Sequence, residues 1–306
     1  MASNLRKLGV LVALSAVLFL GIAVLAFSYS DVGVTVGVGT GGLPLSVTDL
    51  SKVPESVAED ATELAKELFE DYQEEYEDFV SQLLAEYVEA KDKDFVVIFN
   101  SGGWGWNFLE NSPGWYSIST GIESELDKLG YSSLLLNYRR TGETLRGVID
   151  EFVEVITDYP SKAEDLAHRV EFLTSHIPDL KVIVTGESNG SVMSDTVMSI
   201  LQDNPRVYSI QTGPPFWHQN VMLDRTLVLD SNGMTPDSFS QGDVPTVLWA
   251  SLKALIGLTP PEEEDPGRIL YFFRAPGHDY RWQYPDVYAK ITDFLEKNFG
   301  FKGDKY

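Results

Sequence analysis

Lys181–Asp195 reads Lys-Val-Ile-Val-Thr-Gly-Glu-Ser-Asn-Gly-Ser-Val-Met-Ser-Asp. The β-branched run Val182–Thr185 suits a buried strand, and Ser191–Leu201 is compatible with a helix. Between them, Gly186-Glu187-Ser188-Asn189-Gly190 forms G-x-S-x-G in the strand-then-helix setting that a nucleophile elbow requires. A serine on so sharp a turn projects its hydroxyl above the sheet, and the flanking glycines admit a close backbone approach. The helix that starts there aims its first N–H groups at any negative charge developing nearby. The pattern also arises by chance, so its weight rests on whether the chain supplies a base, an acid and oxyanion donors.

For a base there are four histidines: His168, His176, His218 and His278. His168 and His176 fall inside a helical pattern, and His218 follows a Pro-Pro turn. His278, in Ala275-Pro276-Gly277-His278-Asp279-Tyr280, comes directly after the last strand candidate and before the last helix. Open α/β sheets place functional groups in such loops. Its imidazole is therefore expected to take the Ser188 proton and return it to the leaving group. Asn100-Ser101-Gly102-Gly103-Trp104-Gly105-Trp106 follows another strand candidate. Its clustered glycines let backbone N–H groups turn toward a ligand, so Gly103 or Trp104 together with Asn189 are the expected oxyanion donors. The acid should follow the strand Thr226–Asp230, where the loop runs Asp230-Ser231-Asn232-Gly233-Met234-Thr235-Pro236-Asp237. Asp237 is preferred to Asp230, which falls still inside the strand; a Ser–His dyad oriented by a backbone carbonyl is the third option.

The 306 residues carry 23 basic and 46 acidic side chains and no cysteine. Phosphate neutralisation needs clustered Lys and Arg, so a nucleic-acid partner is excluded. The missing cysteines exclude a disulfide scaffold, a thiolate nucleophile and thiolate-bound metals. Leu8–Phe27 is uncharged throughout and long enough to cross a bilayer as a helix. Arg6 and Lys7 before it and Asp31 and Asp49 after it predict a cytoplasmic N-terminus and an extracytoplasmic remainder. The competing expectation is a cleaved signal peptide, given the small-residue spacing at Val24-Leu25-Ala26. Residues 31–54 read as a linker or an early edge strand. From Glu55 to Lys91 apolar residues recur at helical spacing opposite an acidic face, which predicts one long amphipathic helix, within a segment 55–93, lying on the domain that follows.

From Asp94 to the C-terminus, strand and helix signals alternate. Phe95–Asn100, Tyr131–Asn137, Lys181–Thr185, Val207–Gln211, Thr226–Asp230 and Ile269–Arg274 are short apolar runs suited to buried parallel strands. Helical patterns near Tyr116–Leu129, Ser161–His176, Ser191–Gln202, Val244–Ile256 and Asp286–Asn298 lie between them. The expectation is an α/β fold, a mostly parallel doubly wound sheet covered by helices.

Oxyanion loop, Gly-x-Ser-x-Gly, acid-bearing loop and Gly-His, in that order, resemble the α/β-hydrolase superfamily over about Asp94–Phe301. The resemblance implies a serine esterase with Ser188 as nucleophile, His278 as base, and Gly103 or Trp104 with Asn189 as oxyanion hole. It implies no metal or organic cofactor, and a small-molecule or lipid-like acyl substrate. The sequence departs from the family at Ser-Asn-Gly-Met-Thr-Pro, where a glycine-and-aspartate turn is usual, and at Ser101-Gly102, where His-Gly is common. Any lid is expected at Thr141–Pro160 or in the acidic helix. A non-catalytic binding module of the same fold, and an acyltransferase or peptidase using the same serine, are the alternatives.

Overall fold

Phe95–Asn100 (β1) is buried along its whole length. Its side chains alternate between two apolar layers, Val96 and Ile98 facing one and Phe95, Val97 and Phe99 the other. A strand covered on both faces reads as a continuous apolar run. The computed structural model describes residues 49–69, 73–103, 105, 107–140, 159–221, 223–258, 268–270 and 273–304. The span Leu8–Phe27, most of the linker 31–54, Trp104 and most of Thr141–Pro160 lie outside the described residues. Among the described residues no helix is long and apolar enough to cross a membrane.

β1, Ser133–Tyr138 (β2), Lys181–Glu187 (β3), Val207–Thr212 (β4) and Thr226–Leu229 (β5) form one parallel sheet in the order β2-β1-β3-β4-β5. One face is covered by Glu55–Leu68 (α1), Gln73–Ala90 (α2), Pro160–His176 (α4) and Asn189–Ile200 (α5). Pro113–Lys128 (α3) and Pro285–Phe299 (α7) cover the other. The chain builds outward from β1 to β2 on one side and from β3 to β5 on the other. The carboxyl ends of β1 and β3 therefore flank the point where strand order reverses, which leaves a crevice in open sheets of this kind.

Two expectations need correction. The acidic stretch is not one helix. α1 ends at Phe69, whose backbone (φ −131°, ψ 38°) leaves the helical region, and α2 starts at Gln73. Val57, Ala61 and Ala65 of α1 and Phe79 and Leu83 of α2 belong to the core of this face, so both helices are a layer of the fold and not a lid. Ile269–Arg274 is not a sixth parallel strand. Arg268–Leu270 (β6) and Phe273–Arg274 (β7) pair antiparallel as a separate hairpin, and β7 packs on Val244–Leu255 (α6). A short apolar run satisfies either arrangement, and its length does not choose between them.

Candidate active site

The turn from β3 into α5 is built on Ser188, whose φ of 52° and ψ of −119° place a side-chain-bearing residue outside the usual regions. Such strain costs about 1–3 kcal/mol and persists only where the surroundings over-determine it. Here Ser188 N donates to Thr212 O at 2.9 Å, and Ser188 O accepts from Ser191 N at 2.9 Å and Ser191 Oγ at 2.6 Å. The motif glycines close the same turn. A Cβ on Gly186 would collide with the Gly190 carbonyl, and one on Gly190 with the Asn100 carbonyl. They let α5 lie directly against the ends of β1 and β3.

Ser188 and His278 are each anchored at the end of β4. Thr212 takes the Ser188 N–H, and the next residue, Gly213, carries the imidazole against its Cα, since a Cβ there would stand 2.5 Å from His278 Cε1. Gly213 is held in turn by its N–H to Leu229 O at 2.8 Å. Ser188 Oγ is buried and makes no hydrogen bond, while His278 Nδ1 is engaged elsewhere, so Nε2 is the nitrogen left for a substrate-side proton. Hydroxyl–imidazole bonds of this kind are often open in unliganded sites and tighten with substrate.

His278 Nδ1 lies 2.9 Å from Asp237 Oδ2, and both side chains are buried. Asp237 accepts four further bonds: from Tyr280 Oη (2.7 Å), Ser240 Oγ (2.9 Å), Phe239 N (2.9 Å) and Ser240 N (3.1 Å). Burial alone would raise the pKa of this carboxyl. The hydrogen bond and charge of His278, with the Tyr280 and Ser240 donors, outweigh it and hold the group below its ordinary value of 3.8. Asp237 thus stays ionised and fixes the ring with Nδ1 protonated. Asp230, the other sequence candidate, is exposed just past β5 and makes no bond to the ring.

Asn232 explains why the acid comes late in its loop. Its Oδ1 accepts from Met234 N (2.8 Å) and Thr235 N (3.0 Å), folding residues 232–236 into a turn. Its Nδ2 donates to Gly277 O (3.2 Å) and Asp279 O (2.7 Å), tying that turn to the histidine loop. The sequence departure at Ser-Asn-Gly-Met-Thr-Pro is therefore the joint that carries Asp237 back under His278. Tyr280 and Asn232 were not singled out from the sequence. The bonds that matter to the site have no local signal, because Asp237 lies 43 residues from Tyr280, and Gly277 and Asp279 lie 45 and 47 from Asn232.

The glycine loop after β1 sits across from the elbow. Asn189 Nδ2 reaches Gly103 O at 3.4 Å, and Arg140 Nη1 donates to Ser101 O at 2.6 Å. The Gly103 N–H makes no hydrogen bond among the described residues, and Asn189 N begins α5, where helix amides lack internal partners. Trp104 lies outside the described residues. Of the other histidines, His176 bonds Phe172 O and Asp60, and His218 pairs with the buried Asp195 of α5 at 2.9 Å. The second pair ties the loop after β4 to α5, and Phe216 and Trp217 of that loop pack edge-on to Phe239, which itself lies edge-on to the His278 ring. Among the described residues no group of three His, Asp or Glu side chains could hold a metal ion.

No family model matches the chain, and no curated protein matches it. Solved structures do. A Trichoderma reesei cutinase in complex with a C11Y4 phosphonate inhibitor is 15% identical, with 63% of this chain and 82% of that one covered, at a TM-score of 0.36. A cutinase-like protein from Cryptococcus sp. is 14% identical, with 67% and 95% covered, at a TM-score of 0.38. Likeness at these scores leaves function to be read from the site's own atoms.

Proposed function

We propose that this chain is a serine hydrolase of α/β-hydrolase type that cleaves carboxylic esters through an acyl-enzyme on Ser188. The observation that carries the reading is the buried His278–Asp237 pair, packed on Gly213 beside the residue that holds the strained Ser188 backbone. In the reaction Ser188 Oγ attacks the ester carbonyl while its proton passes to His278 Nε2. The carbonyl oxygen gains the negative charge and is met by the Asn189 and Gly103 N–H groups. The C–O bond to the alcohol breaks, and His278 returns the proton to that alcohol. Water, deprotonated by the same nitrogen, then releases the acid and restores Ser188. Asp237 keeps its charge throughout and stabilises the imidazolium. Phe239, edge-on to the His278 ring, packs with Phe216, Val247 and Phe273 into an apolar surface beside the site.

A fluorophosphonate probe tests this. Labelling of the wild type that disappears in Ser188→Ala and is strongly weakened in His278→Ala is the expected result. One observation favours the rival reading, a non-catalytic binding module: the Ser188 hydroxyl is buried and unbonded to the ring. A folded wild type that takes no label would establish that rival. From Leu8–Phe27 we further propose that the domain is tethered to a membrane on its extracytoplasmic side. Retention of the full chain in carbonate-washed membranes, with the domain open to added protease, is the outcome that supports the tether.

A further inference from the structure

One peptide unit of the glycine loop is gripped at both of its polar ends. On the carbonyl side, Arg140 Nη1 donates to Ser101 O at 2.6 Å. Arg140 is 5% exposed, and its guanidinium lies over the buried Tyr159 ring, 5.0 Å from the centroid. On the amide side, Gly102 packs against Glu187, where an added Cβ would stand 3.4 Å from Glu187 Oε2. The Gly102 N–H is thus a near neighbour of that carboxylate and favours its charged form. In a trans peptide the carbonyl and the N–H point in opposite directions. A cation at the oxygen end and an anion at the hydrogen end therefore match the peptide dipole, and flipping the unit would oppose both charges.

The grip extends through the loop. Ser101 O, Gly102 O, Gly103 O and Gly105 O accept from Arg140 Nη1, Gly105 N, Asn189 Nδ2 and Arg140 N in turn. The Gly103 N–H bonds none of these partners among the described residues. Both charged residues leave the sheet beside the site: Glu187 ends β3 and adjoins Ser188, and Arg140 follows β2 by two positions. Burial and the Asp279 charge push the Glu187 carboxyl up, against the opposing pull of His278 and the Gly102 N–H.

We propose that Arg140 and Glu187 are positioning residues that lock the Ser101–Gly102 peptide and thereby aim the Gly103 N–H at the oxyanion. The proposal rests on the hydrolase reading. An oxyanion donor acts only when it is already in place, and a misplacement of about 1 Å costs about 10²-fold in rate.

The test begins with wild type and Ser188→Ala, which establish turnover of a short-chain p-nitrophenyl ester. Arg140→Met and Glu187→Leu are then each expected to lower kcat about 10²-fold, with KM nearly unchanged. Arg140→Lys and Glu187→Gln, which keep a donor and an acceptor, should recover about a tenth of the wild-type kcat or more. Because both act through one peptide, the double variant should be no slower than the poorer single. Folded single variants with kcat close to wild type, or losses that simply multiply, would overturn the proposal. If Arg140→Met does not fold, Arg140→Lys and the Glu187 variants decide it. If the wild type never turns over, the hydrolase reading fails. The clamp is then read from the Gly102 amide resonance, which should shift in Glu187→Gln; no shift would sink the clamp itself.

Discussion

Asp237 receives five donors and no exposure to water, so its charge is fixed in both place and state. Asp237→Asn keeps the volume and replaces one acceptor oxygen with a donor. The Phe239 and Ser240 N–H groups keep the amide oxygen at the Oδ1 place, so the new donor takes the Oδ2 place, faces the Nδ1 proton and drives the ring to the tautomer that cannot take a proton at Nε2. The expected result is a fall in kcat of about 10⁴-fold, read in steady-state ester hydrolysis. Asp230→Asn should leave the rate unchanged, because that side chain is in solvent. At this scale the placing of Ser188 on a strand-to-helix turn and of His278 in the loop before α7 was legible, since each sits in a local pattern. The acid was only half legible. Asp230 and Asp237 share one loop, and what separates them is the Asn232 amide bonding residues 45 and 47 positions away.

Among the elements, α2 and α4 are joined by a charge cluster inside the core layer. Arg169 Nη1 meets Glu86 Oε1 at 2.9 Å, Arg169 Nε meets Asp165 Oδ2 at 3.0 Å, and the guanidinium lies over the Phe79 ring at 4.5 Å. The Arg169 side chain is 1% exposed, so its removal strands Glu86 in a dry setting. Arg169→Met should lower unfolding stability by about 3–5 kcal/mol, measured by denaturant titration. Adding Glu86→Leu to that variant should restore much of the loss, since the dry unpaired carboxylate is then gone and Asp165, 22% exposed, keeps the Tyr138 hydroxyl. The helices themselves were readable from their apolar spacing. The break after Phe69 was not, because the spacing continues across it. Nor was the β6–β7 hairpin, whose residues carry the composition of a buried parallel strand.

For the whole molecule the dominant number is a net charge of −23. Like charges of that sum repel in the folded state. Raising ionic strength from about 0.01 M to about 0.15 M shortens the screening length from about 30 Å to about 8 Å, so the melting temperature should rise. Acid has its own signature. The Asp237 carboxyl is held below its ordinary value, so its stabilising contribution is complete above about pH 3.9 and is lost as pH falls through the lowered value. Glu86, raised by burial despite Arg169, acts with the opposite sign, and its contribution declines as pH climbs from about 4.3 through the raised value. Unfolding followed from pH 2 to 6 should show a shallower acid limb in Asp237→Asn than in the wild type. The α/β class and the parallel sheet could be read from alternating apolar runs, whereas the strand order could not, because it is set by contacts between segments far apart in the chain. Gly186 and Gly190 add a last consequence. Both are required by backbone packed on backbone and not by the hydroxyl between them. A descendant that had lost Ser188 to drift would still be obliged to keep the pair, so a search by these glycines would gather pseudoenzymes together with their active cousins.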